Sequence, residues 1–165
     1  TSLAIPYAIK AGLGEYGKNG LLITKKFGPR VRLGKIYTNL PLRHDKPIEF
    51  GVKKFCNICN LCSQGCPVKA IPEGLPSAQT HNISNISGVN KWSVDGEKCF
   101  SFWASQNSDC SICIRVCPYN KDYSLRIHRI GLKLAGTWLR HFMIWLDVKL
   151  SYGSRHKSKH WWKKD

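Results

Sequence analysis

The 165-residue chain is 42% hydrophobic, enough for one domain with a core of its own, so it is no coreless, disulfide-stapled peptide. Its 26 Lys and Arg against 10 Asp and Glu give a formal net charge of +16, which invites nucleic acid, an anionic membrane surface or an acidic protein partner. The most apolar stretch, residues 134–150, is interrupted by Arg140, His141, Asp147 and Lys149 and falls short of the roughly 20 residues a bilayer requires, which excludes a transmembrane helix there.

In chain order, residues 4–13 read as a helix closed by Gly12 and Gly14. The turn that follows, AGLGEYGKNGLL, carries Gly12, Gly14, Gly17 and Gly20. The first three spell G-x-G-x-x-G, but a dinucleotide fingerprint needs a strand before it and a helix after it, and neither is evident. Backbone without side chains can still lie against a large flat ligand. In GPRVRLGKIYTNLPL, residues 28–42, Val31 and Leu33 alternate with polar positions, as do Ile36, Thr38 and Leu40 after Gly34 shifts the phase. That pattern predicts a bulged strand ending at Pro41, with Arg30, Arg32 and Lys35 facing outward. Residues 43–54 form a link to the first cysteine run.

All eight cysteines fall in two runs. FCNICNLCSQGCP gives Cys56-x2-Cys59-x2-Cys62-x3-Cys66-Pro67, and CFSFWASQNSDCSICIRVCP gives Cys99-x10-Cys110-x2-Cys113-x3-Cys117-Pro118. Two zinc sites would need paired Cys-x2-Cys knuckles, which these three-plus-one runs fit poorly. The first run has the spacing of bacterial two-cluster ferredoxins, in which three close thiolates hold one cubane and the fourth reaches the other. One [4Fe–4S] cluster is thereby expected on Cys56, Cys59, Cys62 and Cys117, and a second on Cys66, Cys99, Cys110 and Cys113. Two such clusters would lower the net charge by roughly four units and leave the protein basic. The gap of ten residues in the second run is expected to loop out, with Phe100, Phe102 and Trp103 shielding a cluster from water.

Between the runs, residues 74–98 are polar and rich in turn formers and read as a surface loop, with the Asn82 and Asn85 glycosylation sequons incidental. After Cys117 a single amphipathic helix is expected, with apolar positions 135, 138, 139, 142, 145 and 146 facing the core. The tail YGSRHKSKHWWKKD sets Arg155, Lys157, Lys159, Lys163 and Lys164 around Trp161 and Trp162, either as a solvated end or as a surface for lipid headgroups or a partner. Met143 is the only methionine and the chain opens mid-element, so it reads as the C-terminal part of something longer.

From the cysteines alone the function is electron transfer, either as a ferredoxin-like carrier or as the electron-delivery end of a redox enzyme. The roughly fifty residues before the first run favour the enzyme. Those residues, AGLGEYGKNGLLITKKFGPRVRLGKIYTNLPL, followed by FCNICNLCSQGCPVKAI and CSICIRVCPYNK, resemble the C-terminal part of corrinoid-dependent reductive dehalogenases.

The resemblance implies an α+β fold, with residues 1–50 ending a nitroreductase-like corrinoid-binding domain. Residues 51–125 would form a ferredoxin-like double-cluster module, and residues 126–165 an amphipathic helix and basic tail. It implies a base-off corrinoid whose reduced cobalt attacks a small organohalide, halide leaving and a proton replacing it. Gly12, Leu13, Gly14, Gly17, Asn19, Gly20, Leu21, Leu22 and Ile23 would line the corrinoid pocket, and a tyrosine upstream of Thr1 would give the proton. Arg30 or Arg32 is the candidate basic group, since a guanidinium keeps its charge and stabilises a developing anion in a dry pocket.

No Asp-x-His-x-x-Gly stretch is present, and His44, His81, His128, His141, His156 and His160 are scattered, in keeping with a cobalt that has no protein ligand. The resemblance further implies twin-arginine export to the outer face of the cytoplasmic membrane, a small integral-membrane anchor protein, an electron donor from the respiratory chain and no nucleic-acid partner.

Epoxyqueuosine reductase, a tRNA-modifying enzyme similar in fold and cofactors, is the competing reading and would use the basic charge on phosphates. The short gap in CFSFWASQNSDC and the wording of FGPRVRLGKIYTNLPL count against it.

Overall fold

The fold is seen in a computed structural model describing residues 3–155. Lys157, Lys159, Trp161, Trp162, Lys163 and Lys164 of the tail lie outside the described residues.

Helix α1 covers Ala4–Lys10, three residues shorter than its sequence pattern. Gly12 stops it by adopting φ +68, which lets its N–H reach the Ile9 carbonyl while the Leu13 N–H bonds Ala8, so the last carbonyls are satisfied within the turn. The glycine turn then folds into a two-stranded antiparallel ribbon, β1 (Glu15–Tyr16) against β2 (Leu22–Ile23), with Glu15 opposite Ile23. Gly14 must be small here, because a Cβ would sit 2.1 Å from the Ile23 carbonyl oxygen. Glu15 turns its carboxylate onto the start of α2 (Val52–Ile58), where it accepts from the backbone N–H groups of Phe50, Val52 and Lys53. Those donors have no intrahelical partner, so a side chain from far earlier in the chain caps the helix that carries the first cysteines.

Residues 28–42 do not form the expected strand. Val31 and Leu33 are half-buried, but Ile36 is 94% exposed and the segment stays exposed through Leu42. A strand needs a neighbour to satisfy its backbone, and among the described residues none runs beside it.

Helix α3 (Leu61–Gly65) packs on α5 (Ile112–Arg115), so the two x2, x3, Pro segments lie against each other. The ten-residue gap is helical rather than looped: α4 spans Gly96–Gln106 and begins at Asp95, whose carboxylate accepts the Lys98 N–H at 3.1 Å. The sequence from Glu97 onward has no helix breaker, and Asn107 ends it in the left-handed conformation. Asn82 and Asn85 use their amide nitrogens internally, donating to Asp95 Oδ1 and the Val94 carbonyl.

The single C-terminal helix is in fact two, α6 (Arg126–Leu134) and α7 (Arg140–Lys149). Thr137 separates them by bonding its hydroxyl back to the Leu134 carbonyl and accepting the Leu139 N–H, an alternative to continuing the helix. The break also lets Gly136 lie against Gly51 at the start of α2, where a Cβ on Gly51 would meet the Gly136 Cα at 2.4 Å. The face expected in the core is mostly outside it: Trp138 is 81% exposed and Phe142 and Trp145 are also exposed. Ala135 does face inward as expected, and Met143, Ile144 and Asp147 join it there. Asp147 pairs with Lys121, whose ammonium also lies 3.5 Å from the centre of the Tyr152 ring.

Two apolar clusters make the core, and cysteines belong to both. Ile23, Val52, Phe55, Tyr119 and Ala135 surround Cys59, with Cys56 and Cys117 packed against them. Ala70 and Ile71 join Cys62 and Cys66, with Cys99, Cys113 and Val116 at the edge.

Candidate metal centre

Helix α2 presents Cys56, α3 presents Cys62, and Cys59 sits at the α2 C-terminus, so the x2 spacing returns each thiol to one cavity. Cys117, from the far run, lines the same cavity with Phe55, Pro118 and Tyr119. The second group forms where α4 and α5 meet α3: the thiol of Cys113 lies within electrostatic reach of Cys110, Cys99 and Cys66. The Cys62 thiol also feels Cys113, which places the two groups next to each other.

Burial dominates the thiol chemistry. It pushes Cys56 and Cys62 up to about 12 and Cys113 up to about 11, and it raises Cys117, Cys59 and Cys99 as well. Backbone N–H groups oppose it: Lys18 bonds to Cys56, Leu61 to Cys59, Tyr119 to Cys117 and Ile114 to Cys113. The Ala70 N–H lies 3.3 Å from Cys66 Sγ. These donors face sulfur, and hydrogen bonds to sulfur are among the levers that set a cluster's potential.

One residue unnoticed in the sequence stands beside the first group. Lys18 is 1% exposed, its ammonium donating to Asn60 Oδ1 at 2.6 Å and lying 5.6 Å from the centre of the Trp92 ring. Burial pushes its ammonium down from the ordinary lysine range, and charge on Cys62, Cys56 and Cys59 pushes it back. Its neighbour Asn19 is also buried; Oδ1 accepts the Leu21 N–H, and Nδ2 has no partner among the described residues. A lysine in a glycine-rich turn reads as solvated; the partners that hold its ammonium, Asn60 in the first cysteine run and Trp92 in the polar loop, are not local in sequence.

The other expected site residues are more dispersed. Gly17, Asn19 and Ile23 line the cysteine cavity itself, and Leu22 is buried in the ribbon. The glycines at 12 and 14 are explained by this chain's own backbone, since a Cβ on Gly12 would meet the Lys46 carbonyl oxygen at 2.5 Å. Around α1 and this turn, Leu3, Tyr7 and Leu13 are each about half exposed. Arg30 and Arg32 are exposed, and Arg30 Nη2 donates to the Lys121 carbonyl at 2.7 Å, so this chain by itself gives neither a dry pocket. Phe100, at 68% exposed, points largely to solvent, while Trp103 is 37% exposed and Phe102 is half-buried, so Phe100 takes no part in the expected aromatic shield. Tyr16, Tyr119 and Tyr123 are held up by burial, and the hydroxyls of Tyr16 and Tyr123 donate to the Trp92 and Tyr119 carbonyls.

Residues 55–120 match the 4Fe-4S double cluster binding domain family. Over 126 residues the chain is 48% identical to a tetrachloroethene reductive dehalogenase of Desulfitobacterium hafniense, covering 73% of this chain and 23% of that protein. It is 38% identical over 161 residues to the tetrachloroethene reductive dehalogenase of Sulfurospirillum multivorans, 96% of this chain and 32% of that one. The solved structure of the catabolic reductive dehalogenase NpRdhA in complex with 3-bromo-4-hydroxybenzoic acid matches with a TM-score of 0.78 at 31% identity, over 92% of this chain and 21% of that one. The chain belongs to the reductive dehalogenase family.

It spans about a quarter to a third of the length of the curated reductive dehalogenases it matches. The epoxyqueuosine reductase of Lactococcus garvieae is a more distant relative, 29% identical over 75% of this chain.

The donor set fits two iron–sulfur clusters. Eight soft sulfur ligands divide four and four, in a protein matching a double-cluster family. No group of three or more His, Cys, Asp or Glu among the described residues is drawn in tightly enough for a single ion, whereas a cubane holds its ligands on separate irons.

Proposed function

We propose that this chain is the electron-delivering portion of a reductive dehalogenase that replaces the halogen of a small organohalide with hydrogen. The observation that carries the reading is the pairing of Cys117 with Cys56, Cys59 and Cys62 around one cavity in a chain whose relatives are named reductive dehalogenases. In this proposal Cys56, Cys59, Cys62 and Cys117 hold one [4Fe–4S] cluster, and Cys66, Cys99, Cys110 and Cys113 hold the other. Such clusters supply one-electron transfer when bound.

The chain's own residues do the rest. Phe55, Pro118 and Tyr119 exclude water from the first group, and the backbone N–H groups of Lys18, Leu61 and Tyr119 face its sulfurs. The contact of α3 with α5 keeps the two groups adjacent, which suits stepwise electron passage.

A bound corrinoid supplies a low-valent cobalt able to break a carbon–halogen bond. Residues 1–50 would complete its nitroreductase-like domain, offering the apolar surface of Leu3, Tyr7 and Leu13. Of the two arginines considered for stabilising a departing halide, Arg32 is favoured, because the Arg30 guanidinium is held by Lys121. The same reading includes a respiratory electron donor, a small integral-membrane anchor, and twin-arginine export to the outer face of the cytoplasmic membrane. Among the described residues no helix is long and apolar enough to cross a membrane.

The test uses full-length, anaerobically prepared protein. Corrinoid should be extractable, and chloride or bromide should be released from an organohalide with reduced viologen as donor. A protein that shifts tRNA at about 0.15 M salt and ignores organohalides is an epoxyqueuosine reductase-like enzyme instead.

A further inference from the structure

The glycine turn carries a second role that its sequence does not announce. Two consecutive side chains, Lys18 and Asn19, belong to the wall of the first cysteine cavity, and both are all but sealed from solvent. Among the described residues no carboxylate forms an ion pair with the Lys18 ammonium; its neutral supports are Asn60 Oδ1 and the face of Trp92. A buried cation is tolerated where negative charge compensates it, and Lys18 lines the same cavity as Cys56, Cys59, Cys62 and Cys117, where a bound cluster would bring that charge. Asn19 adds an independent sign. Its Oδ1 is committed to the Leu21 N–H, which orients the amide, and its Nδ2 is left as a buried donor with nothing to donate to among the described residues. A donor and a cation on the wall of one sulfur-lined cavity are both suited to an electron-rich occupant.

We propose that Lys18 and Asn19 are positioning residues of the first cluster, raising its reduction potential by a fixed positive charge and by an N–H directed at cluster or cysteine sulfur. This rests on the assignment of Cys56, Cys59, Cys62 and Cys117 to one [4Fe–4S] cluster. Reduction adds one electron, supplied in the assay by dithionite; no bond to Lys18 or Asn19 forms or breaks. The added negative charge is stabilised by the ammonium and the amide, so reduction becomes easier than it would be in a neutral wall. Trp92 and Asn60 hold the ammonium in place, the former tethered by its own indole N–H to the Gly74 carbonyl at 2.9 Å.

The test is a redox titration of the full-length, cluster-loaded protein followed by electron paramagnetic resonance, which yields one midpoint potential for each cluster. In Lys18→Met one of the two potentials should fall by about 59 mV, a tenfold less favourable reduction for one electron, while the other stays in place. Asn19→Asp keeps the oxygen that holds the turn and removes the donor, and it should lower the same potential. Lys18→Arg, which keeps the charge, should remain near wild type. Loss of about four irons from Lys18→Met but not from Lys18→Arg would also support the charge role. Loss from both variants, or unmoved potentials in both Lys18→Met and Asn19→Asp, overturns it. Wild-type protein lacking iron and acid-labile sulfide defeats the underlying cluster assignment. Fully loaded wild type with unmoved variant potentials defeats only the role of these two residues.

Discussion

At the residue scale, burial holds the Cys56, Cys59, Cys62 and Cys117 thiols towards their protonated form in the folded chain, outweighing the backbone N–H groups that favour thiolate at Cys56, Cys59 and Cys117. Ligation requires thiolate, so each thiol must release its proton as a cluster enters. Cys56 and Cys62 are pushed up to about 12, so throughout the neutral and mildly alkaline range the thiolate fraction rises with pH. Iron incorporation into cluster-free protein should therefore climb between about pH 7 and pH 9, measured as iron bound after desalting; equal loading across that window would remove burial as the controlling factor. Cys117→Ser separates the runs' contributions more sharply. Its loss should lower bound iron from about eight to about four per chain and leave the signal of the cluster on Cys66, Cys99, Cys110 and Cys113 in place. Equal damage from Cys117→Ser to both signals would mean that the far run does not divide its ligands in this way.

At the element scale, short helices and a two-residue ribbon are held together by close backbone approaches. Gly28 is the sharpest of these: it adopts φ +57, and a Cβ there would lie 2.0 Å from the carbonyl oxygen of Tyr119, two residues after Cys117. Gly28→Ala should cost about 2 kcal/mol or more of stability and disturb the first cluster, because a backbone carbonyl cannot swing aside as a side chain tip can. Gly34→Ala is the matched control, since nothing lies within 4 Å of the added Cβ and its φ is ordinary. Equal melting temperatures for the two variants would show that the contact at Gly28 is not restrictive.

The same elements show what could be read in the sequence. The cysteine spacing was legible because it concerns residues three and four apart, where chain geometry is local. The strand at residues 28–42 was misread because alternation describes a strand's faces and says nothing of whether a partner exists. The break at Thr137 depended on a side chain competing with the helix and on Gly136 meeting Gly51, and only the second of these is tertiary. Lys18 and Glu15 were passed over for a different reason. Each works through a contact with a segment more than thirty residues away, and the composition of a glycine turn carries no trace of it.

At the scale of the whole molecule, the basic charge and the cluster groups occupy one chain that spans a quarter to a third of the curated reductive dehalogenases it matches. The exposed apolar side chains of α7 and of residues 36–42 belong to surfaces of this portion, and the cysteine groups to its interior. The proposed electron delivery rests on that interior, in which the two sulfur groups adjoin each other and one has Lys18 in its wall. Iron and acid-labile sulfide in full-length protein prepared without oxygen measure this most directly. About eight of each per chain are expected. Stoichiometric zinc, or cysteines joined as disulfides with no iron bound, would contradict it.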